Sequence, residues 1–562
     1  MVKQLYFSFI LFYLTVMPLT LNAEGPVIGL SAQMGSGFAC VDVKLSLNAK
    51  GHPSIYYLAL VSGGGYSPDV QMILDYAYGK RTNGLTNGQV VRGHWIASSQ
   101  YAGRVFSLSG GENIRNIVGE HGFVDGYVYD IFMVAVDDNG IYSNVAEVRD
   151  VMAMPFGGMS NGKYIISQGK ELANIQNLVE RGHKEFLKSG YVLASDIDLR
   201  GYVSWKPIEN FSGSLDGQGY RIKNMNVYEA NGPVGLFANL EGAVIQNLYI
   251  EGNIHTEKGP AGGFAGKAVG SIFKDCHSYV DVDGGYQVGG FVGSLLEWAM
   301  LVDCYAYGNV YGDWAVGGFI GSAQGEELSE NANHSIKISQ CGSFGDVVGK
   351  SGMAGGFAGS MAYAFADGCQ AWSDVTSVGI SDGIDTGGFV GRLTHRSRVT
   401  RSYAYGDVGR AGLSRGNGPS GGTGPSGGFV GLLTHGSGIE YSFSSGNVVG
   451  GNDVGGFAGA IAAPGAPNTI FACISFAPWV VSSCERKGNA GRLVGRMDHN
   501  GVNNCFGYLG SVVASAETLR HVQPNPYGPD GGDVNSQTIA DILKRIGWED
   551  TEKISRIILN FR

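Results

Sequence analysis

Apolar and polar positions alternate in short runs along most of the chain, and glycine punctuates nearly every run. In residues 24–155, Val43-Lys44-Leu45-Ser46-Leu47 alternates strictly, and Ile55-Tyr56-Tyr57-Leu58-Ala59-Leu60 is continuously apolar. A second apolar run, Tyr127 to Ala135, ends at the turn Asp137-Asp138-Asn139-Gly140. Short β runs between turn signals predict a β-sandwich over 24–155.

From Gly262 onward the pattern becomes a repeat. Gly-Gly-Phe-x-Gly recurs with its ring at Phe264, Phe291, Phe319, Phe357, Phe389, Phe429 and Phe457, at intervals of 27 to 40 residues. Gly491-Arg492-Leu493-Val494-Gly495 is a degenerate copy, and Gly235-Leu236-Phe237 begins the series. A second phrase follows each Phe, as in Asp303-Cys304-Tyr305-Ala306-Tyr307-Gly308-Asn309-Val310. One such unit cannot bury its own apolar side chains. Stacking successive units ~4.8 Å apart pairs their backbones and joins the apolar positions into one core. The shortest steps are too small for helix-pair repeats, and the second phrase is rich in β-branched and aromatic residues. The expected fold is therefore all-β: the sandwich, then a right-handed parallel β-helix of roughly ten rungs over 160–510, then a C-terminal cap over 511–562.

Both ends of such a stack need covers. Ser167 is placed to N-cap a helix with Glu171 in its first turn and Leu172, Ile175, Leu178 and Val179 on one face. Gln537 to Ile546 is amphipathic and stops at Gly547. These two helices are expected as the end caps.

The repeats resemble the GLUG-motif family of bacterial surface proteins. The lead-in Tyr191-Val192-Leu193-Ala194-Ser195-Asp196-Ile197-Asp198-Leu199 carries that resemblance, with Trp205-Lys206-Pro207-Ile208 and Phe211 to Tyr220. It covers about residues 160–550 and implies a secreted or cell-surface, adhesin-like protein. Immunoglobulin-A-cleaving zinc metallopeptidases also carry such repeats, but His-Glu-x-x-His is absent from this chain. The run Tyr129 to Asn144 resembles the penultimate strand and final hairpin of fibronectin type III-like domains. That implies a corner role for the Tyr129 hydroxyl.

Composition narrows the function classes. Glycine is 92 of 562 residues, far above the usual ~7 %, while 44 % hydrophobic and 11 % aromatic residues exclude a disordered chain. Net charge −10 argues against a nucleic-acid partner. Residues 1–23 have the basic start, apolar stretch and small residue at Ala23 of a signal peptide. The expected mature chain is exported, without a transmembrane segment, and monomeric.

Three ladders follow from the repeat. Cys276, Cys304, Cys341, Cys369, Cys473 and Cys505 share one position, with Ser402 and Ser442 in two further rungs. Replacement by serine predicts stacked, buried, free thiols, with a Cys473–Cys484 bond as the alternative. Two places on, the residue is always small. Three places on, it is nearly always aromatic: Tyr279, Tyr307, Phe344, Trp372, Tyr405, Phe476, Tyr508. The two sets must face opposite sides. If the aromatics face out, Tyr279, Tyr307, Trp372, Tyr405 and Tyr508 are candidate binding residues, suited to stacking on sugar rings or a partner protein. If they face in, they are core. Asp281, Asn309, Asp346, Asp374, Asp407 and Asn447 form the third ladder. Free exchange of Asp with Asn points to local turns rather than to Ca²⁺ binding or acid–base catalysis, so no cofactor is expected. His395 and His435 hold equivalent places in two repeats, and longer loops fall at 322–337, 376–386, 409–426 and 478–490. The leading expectation is an adhesin-like protein binding a host-surface protein or polysaccharide without catalysis. The alternatives are a polysaccharide-processing β-helix enzyme and a structural spacer.

Overall fold

The computed structural model describes residues 26–49, 51–78, 80, 90–96, 105–108, 122–327, 336–378, 383–410, 424–462, 465–483, 488–515, 518–548, 551 and 555. Residues 1–23, where a signal peptide is expected, Cys484 and most of the 409–426 loop lie outside these residues. The chain divides into two units, Met1–Pro155 and Phe156–Arg562.

The first unit has two antiparallel sheets. One orders Val27–Met34, Val41–Asn48 and Val105–Leu108; the other orders Val90–Ile96, Ser54–Val61, Val128–Val136 and Ala146–Met152. Alternation places Val41, Val43 and Leu45 from the first sheet against Ile55, Tyr57, Ala59, Ile131 and Met133 from the second. Not every element here is a strand. Helix α1, Val70–Ala77, packs Ile73, Leu74 and Ala77 on Tyr56, Leu58, Leu60, Phe132 and Val134. The second sheet is thus covered on both faces, which explains the unbroken apolar run Ile55–Leu60. The signal for α1 was present: Asp69 accepts the Met72 N–H at 2.8 Å as an N-cap, followed by apolar residues at 70, 73, 74 and 77. The Tyr129 hydroxyl accepts the Val124 N–H at 3.0 Å.

The second unit is nearly all parallel β-sheet, wound as a β-helix-like coil. A nine-stranded parallel sheet runs from Phe237–Glu241 to Val494–Met497. Each Gly-Gly-Phe ring lies on the next. Phe264, Phe291, Phe319, Phe357, Phe389, Phe429 and Phe457 have successive centroids 4.5 to 4.9 Å apart, and all are fully buried. The N–H of each Phe donates to the carbonyl of the next, from Phe237 through Phe457, which donates to Leu493. The glycines before each ring are required by space. A Cβ on Gly356 would stand 2.1 Å from the Gly388 carbonyl oxygen.

The cysteine ladder braces a corner. The residue before it is left-handed in coil after coil: Asp275, Asp303, Gln340, Gly368, Arg401, Tyr441, Ala472 and Asn504. The thiols turn inward, fully buried, and donate to the carbonyl two residues back, as Cys304 to Val302 and Cys341 to Ser339, both at 3.2 Å. Ser402 and Ser442 make the same bond at 2.8 Å. The position therefore selects a small donor, which cysteine and serine both supply. Burial pushes the Cys276, Cys341 and Cys473 thiols well above their ordinary range. Cys473 is a free thiol in this column.

The covers differ from expectation. Helix α2, Gly169–Glu180, has Gln168 rather than Ser167 at its N-cap; Ser167 instead donates its N–H to the buried Glu171 carboxylate at 2.6 Å. The helix lies over the first coil, where Gln176 accepts the Glu209 N–H at 2.9 Å. The C-terminal helix α3, Ile539–Arg545, packs on the flank of the last coils. Closure at that end falls to residues 520–534. Arg492 occupies the second glycine position of the degenerate copy, and its buried guanidinium donates to the carbonyls of Asp530, Gly531 and Gly532. A side chain fits there because no further Gly-Gly-Phe coil lies above it.

Candidate outward binding face

The strand Ile272–Gly289 sets the sides. Cys276, Ser278, Val280 and Val282 are buried, while His277, Tyr279, Asp281 and Asp283 face out. The small set is thus core. Ser278, Ser343 and Ser444 each donate at 2.7 Å to the carbonyl of a Gly-Gly-Phe glycine: Gly290, Gly356 and Gly456.

The aromatic set faces out, but its ring faces are closed. Tyr279, Tyr307, Phe344, Trp372 and Tyr405 stack in one row, with centroids 4.5, 4.9, 6.2 and 4.0 Å apart and planes within 23°. Solvent meets their edges. The interior of this row offers no ring face to a sugar, because each face lies on its neighbour. Burial and the adjacent Tyr279 push the Tyr307 hydroxyl up to about 12, and burial raises Tyr405 as well, so both stay neutral phenols. At the open end, the Arg221 guanidinium lies 5.2 Å from the Tyr249 ring centre and 5.7 Å from that of Tyr279. Tyr508 lies with Tyr403 and Tyr405 among the side chains packed against the cluster that α3 joins.

Helix α3 covers the continuation of this face. Ile539, Ile542, Leu543, Ile546 and Trp548 lie on Phe443, Ile474, Phe476 and Phe506, and the Trp548 indole donates to the Ala472 carbonyl at 2.9 Å.

The Asp/Asn ladder stitches coils together rather than forming turns with its own backbone. Asp281 accepts the Asn309 N–H at 2.7 Å, Asn309 accepts that of Asp346 at 3.0 Å, and Asp407 accepts that of Asn447 at 2.7 Å. Carboxylate and amide oxygens serve equally in this bond, which explains their exchange. Among the described residues, no group of three or more His, Cys, Asp or Glu is placed to hold a metal. His395 and His435 do meet: their rings stack at 4.8 Å, and Thr394 Oγ1 lies 2.9 and 3.3 Å from their Nδ1 atoms. Burial, then the facing His435, lowers the His395 pKa.

A second patch has open rings. Tyr286 and Trp314 are paired across adjacent coils and are 50 % and 42 % exposed. Among the described residues, no other ring stacks on either. One part of the Trp314 ring rests against Gly352, where a Cβ would stand 2.7 Å from Cδ2 and Cε3. Beside them Lys350 Nζ forms an ion pair with Asp313 at 2.7 Å and lies 4.3 Å from the Tyr311 ring centre. Next along, His255 Nδ1 meets Asp283 at 2.9 Å. These residues escaped the sequence-derived candidates because they sit between the second phrase and the next Gly-Gly-Phe, where spacing varies. Their signal was an aromatic beside glycine and a charge in that interval: Asp283-Gly284-Gly285-Tyr286 and Tyr311-Gly312-Asp313-Trp314.

No family model matches the chain. Halomucin from Haloquadratum walsbyi (strain DSM 16790 / HBSQ001) is 28% identical over an aligned length of 181, with 29% of this chain and 2% of halomucin covered. The chain thus spans a small part of that relative. Among solved structures, an IgA1 protease is similar at a TM-score of 0.38 and 15% identity, over 76% of this chain and 30% of that one. A candidate immunoglobulin A1 protease from Bacteroides ovatus is similar at a TM-score of 0.29 and 15% identity, over 70% of this chain and 91% of that one. Among the described residues, no helix is long and apolar enough to cross a membrane.

Proposed function

We propose that this chain is an exported, surface-associated, adhesin-like protein of the GLUG-repeat type, and that it binds a host-surface protein or polysaccharide without turnover. The observation that carries this reading is the outward face of the coil, where Tyr286, Tyr311 and Trp314 stand exposed beside paired charges. Rigid coils repeat such contacts along one side, which favours many weak contacts acting together. The apolar leader at residues 1–23 supports export. Similarity to a protein named as a mucin supports the same setting. The three-plus-four strand order of the first unit and the Tyr129 hydroxyl bond support an Ig- or fibronectin type III-like module there. In the Asp/Asn ladder, Asp281, Asn309 and Asp407 each give one side-chain oxygen to a backbone N–H of the next coil, which supports a structural role for them over the enzyme alternative.

The test is binding of the mature chain, from residue 24, to arrays of host-surface proteins and glycans, alongside a turnover assay on a polysaccharide panel. Saturable binding without product release is expected. Binding to nothing on either array, or turnover of any polysaccharide, refutes the proposal.

A further inference from the structure

The outward face contains two aromatic groups of different kinds. In the row from Tyr279 to Tyr405 the ring faces are used up by each other. At Tyr286 and Trp314 they are not. We infer that Tyr286 and Trp314 form a stacking subsite for an uncharged pyranose chain, with Asp313 and Lys350 as its hydrogen-bonding rim. This inference rests on the surface-binding reading above and names the ligand class of its face.

Two observations on the rings carry it. A pyranose has an apolar C–H face ringed by hydroxyls, so it needs an open aromatic face with donors and acceptors at its edge. Trp314 supplies that face in a fixed pose, since its ring is seated on Gly352, whose φ of +70° and missing Cβ make the seat. Fixed rings lose little freedom on binding. Tyr286 lies in register with Trp314 on the adjacent coil, so the backbones that carry the two rings are about 4.8 Å apart along the coil axis, close to the length of one sugar ring.

The rim is polar and electrically balanced. Asp313 is paired with Lys350 and Asp283 faces His255, so the patch offers carboxylate acceptors and an ammonium donor without a surplus of positive charge. With a chain net charge of −10, nothing here draws a polyanion. A protein partner would call for a larger, continuous apolar core at the contact centre than two rings separated from Tyr311 by polar positions.

Titration calorimetry on the full mature chain tests this with cellohexaose, chitohexaose and mannan as uncharged probes and heparin and hyaluronan as polyanions. Binding of at least one uncharged probe is expected, with affinity falling about tenfold or more in Trp314→Ala and in Tyr286→Ala. Both side chains are exposed, and unchanged amide hydrogen exchange over the stacked Gly-Gly-Phe strands verifies the fold. Trp479→Ala, an exposed tryptophan elsewhere on the coil, should leave affinity unaltered. Gly352→Ala, which unseats the Trp314 ring without deleting it, should also weaken binding.

Uncharged-glycan binding that is indifferent to both ring deletions overturns the subsite while leaving the surface-binding reading standing. So does binding confined to polyanions, or to proteins on the host array. No ligand of any class removes both.

Discussion

Phe357 lies midway along the buried Phe column, fully enclosed, with its ring 4.9 Å from Phe319 and 4.7 Å from Phe389. Replacing it with alanine empties a ring-sized volume that the coils above and below cannot fill, because their Gly-Gly backbones are already in contact. Phe→Ala in a core costs ~3–5 kcal/mol, within which two lost ring pairs account for ~1–3 kcal/mol. In a coil where each turn touches mainly its neighbours, that loss is local. Global melting is an unsuitable assay, since long repeats need not unfold as one unit. Native-state hydrogen exchange reads the site directly. The Phe319 N–H donates to the Phe357 carbonyl at 2.9 Å, and the Phe357 N–H to that of Phe389 at 2.8 Å. For a loss of about 4 kcal/mol, amides over 315–324, 353–362 and 385–394 should exchange roughly a thousandfold faster, while the strand Ser54–Val61, in a separate core, should not change. Phe357→Leu retains much of the volume and should cost ~1–2 kcal/mol. If Phe357→Ala shifts exchange in these segments by less than about tenfold, the stacked-column account of the core is wrong.

Two further outcomes follow from the same geometry. Cys369→Ser should change stability by less than about 1 kcal/mol, because serine makes this bond in two natural coils; the ladder thiols should resist a thiol reagent at pH 8 until the protein is unfolded. Labelling of Cys304 or Cys369 in the native protein would contradict their burial. Asp385 is buried beside Arg392 at 2.5 Å, and burial outweighs that partner, raising its pKa to about 6. The native state therefore holds this proton more tightly than the unfolded chain. Stability should fall as pH rises from about 4 to about 6, by on the order of 3 kcal/mol, and stay lower above that window. Asp385→Asn should flatten this segment of a denaturant-midpoint profile; an identical profile in the variant would show that the carboxyl does not titrate there.

The sequence by itself determined the coil. The spacing of Gly-Gly-Phe fixed which rings share a column, and serine at 402 and 442 identified a small buried position before any contact was known. Periodicity also required the small and aromatic sets to face opposite sides. What periodicity lacks is the direction of the core. That came from the corner, where a left-handed residue before each Cys or Ser turns the small set inward. Only the tertiary structure showed that Tyr279 to Tyr405 spend their faces on one another, whereas Tyr286 and Trp314, in the variable interval, keep theirs open. Likewise, an amphipathic pattern at 539–546 establishes that α3 must bury a face but not against what. The apolar face went to Phe443, Ile474, Phe476 and Phe506 on the flank, while Arg492 closed the end. A local pattern sets which side of an element avoids water, and the surface it meets is settled by segments distant in the chain.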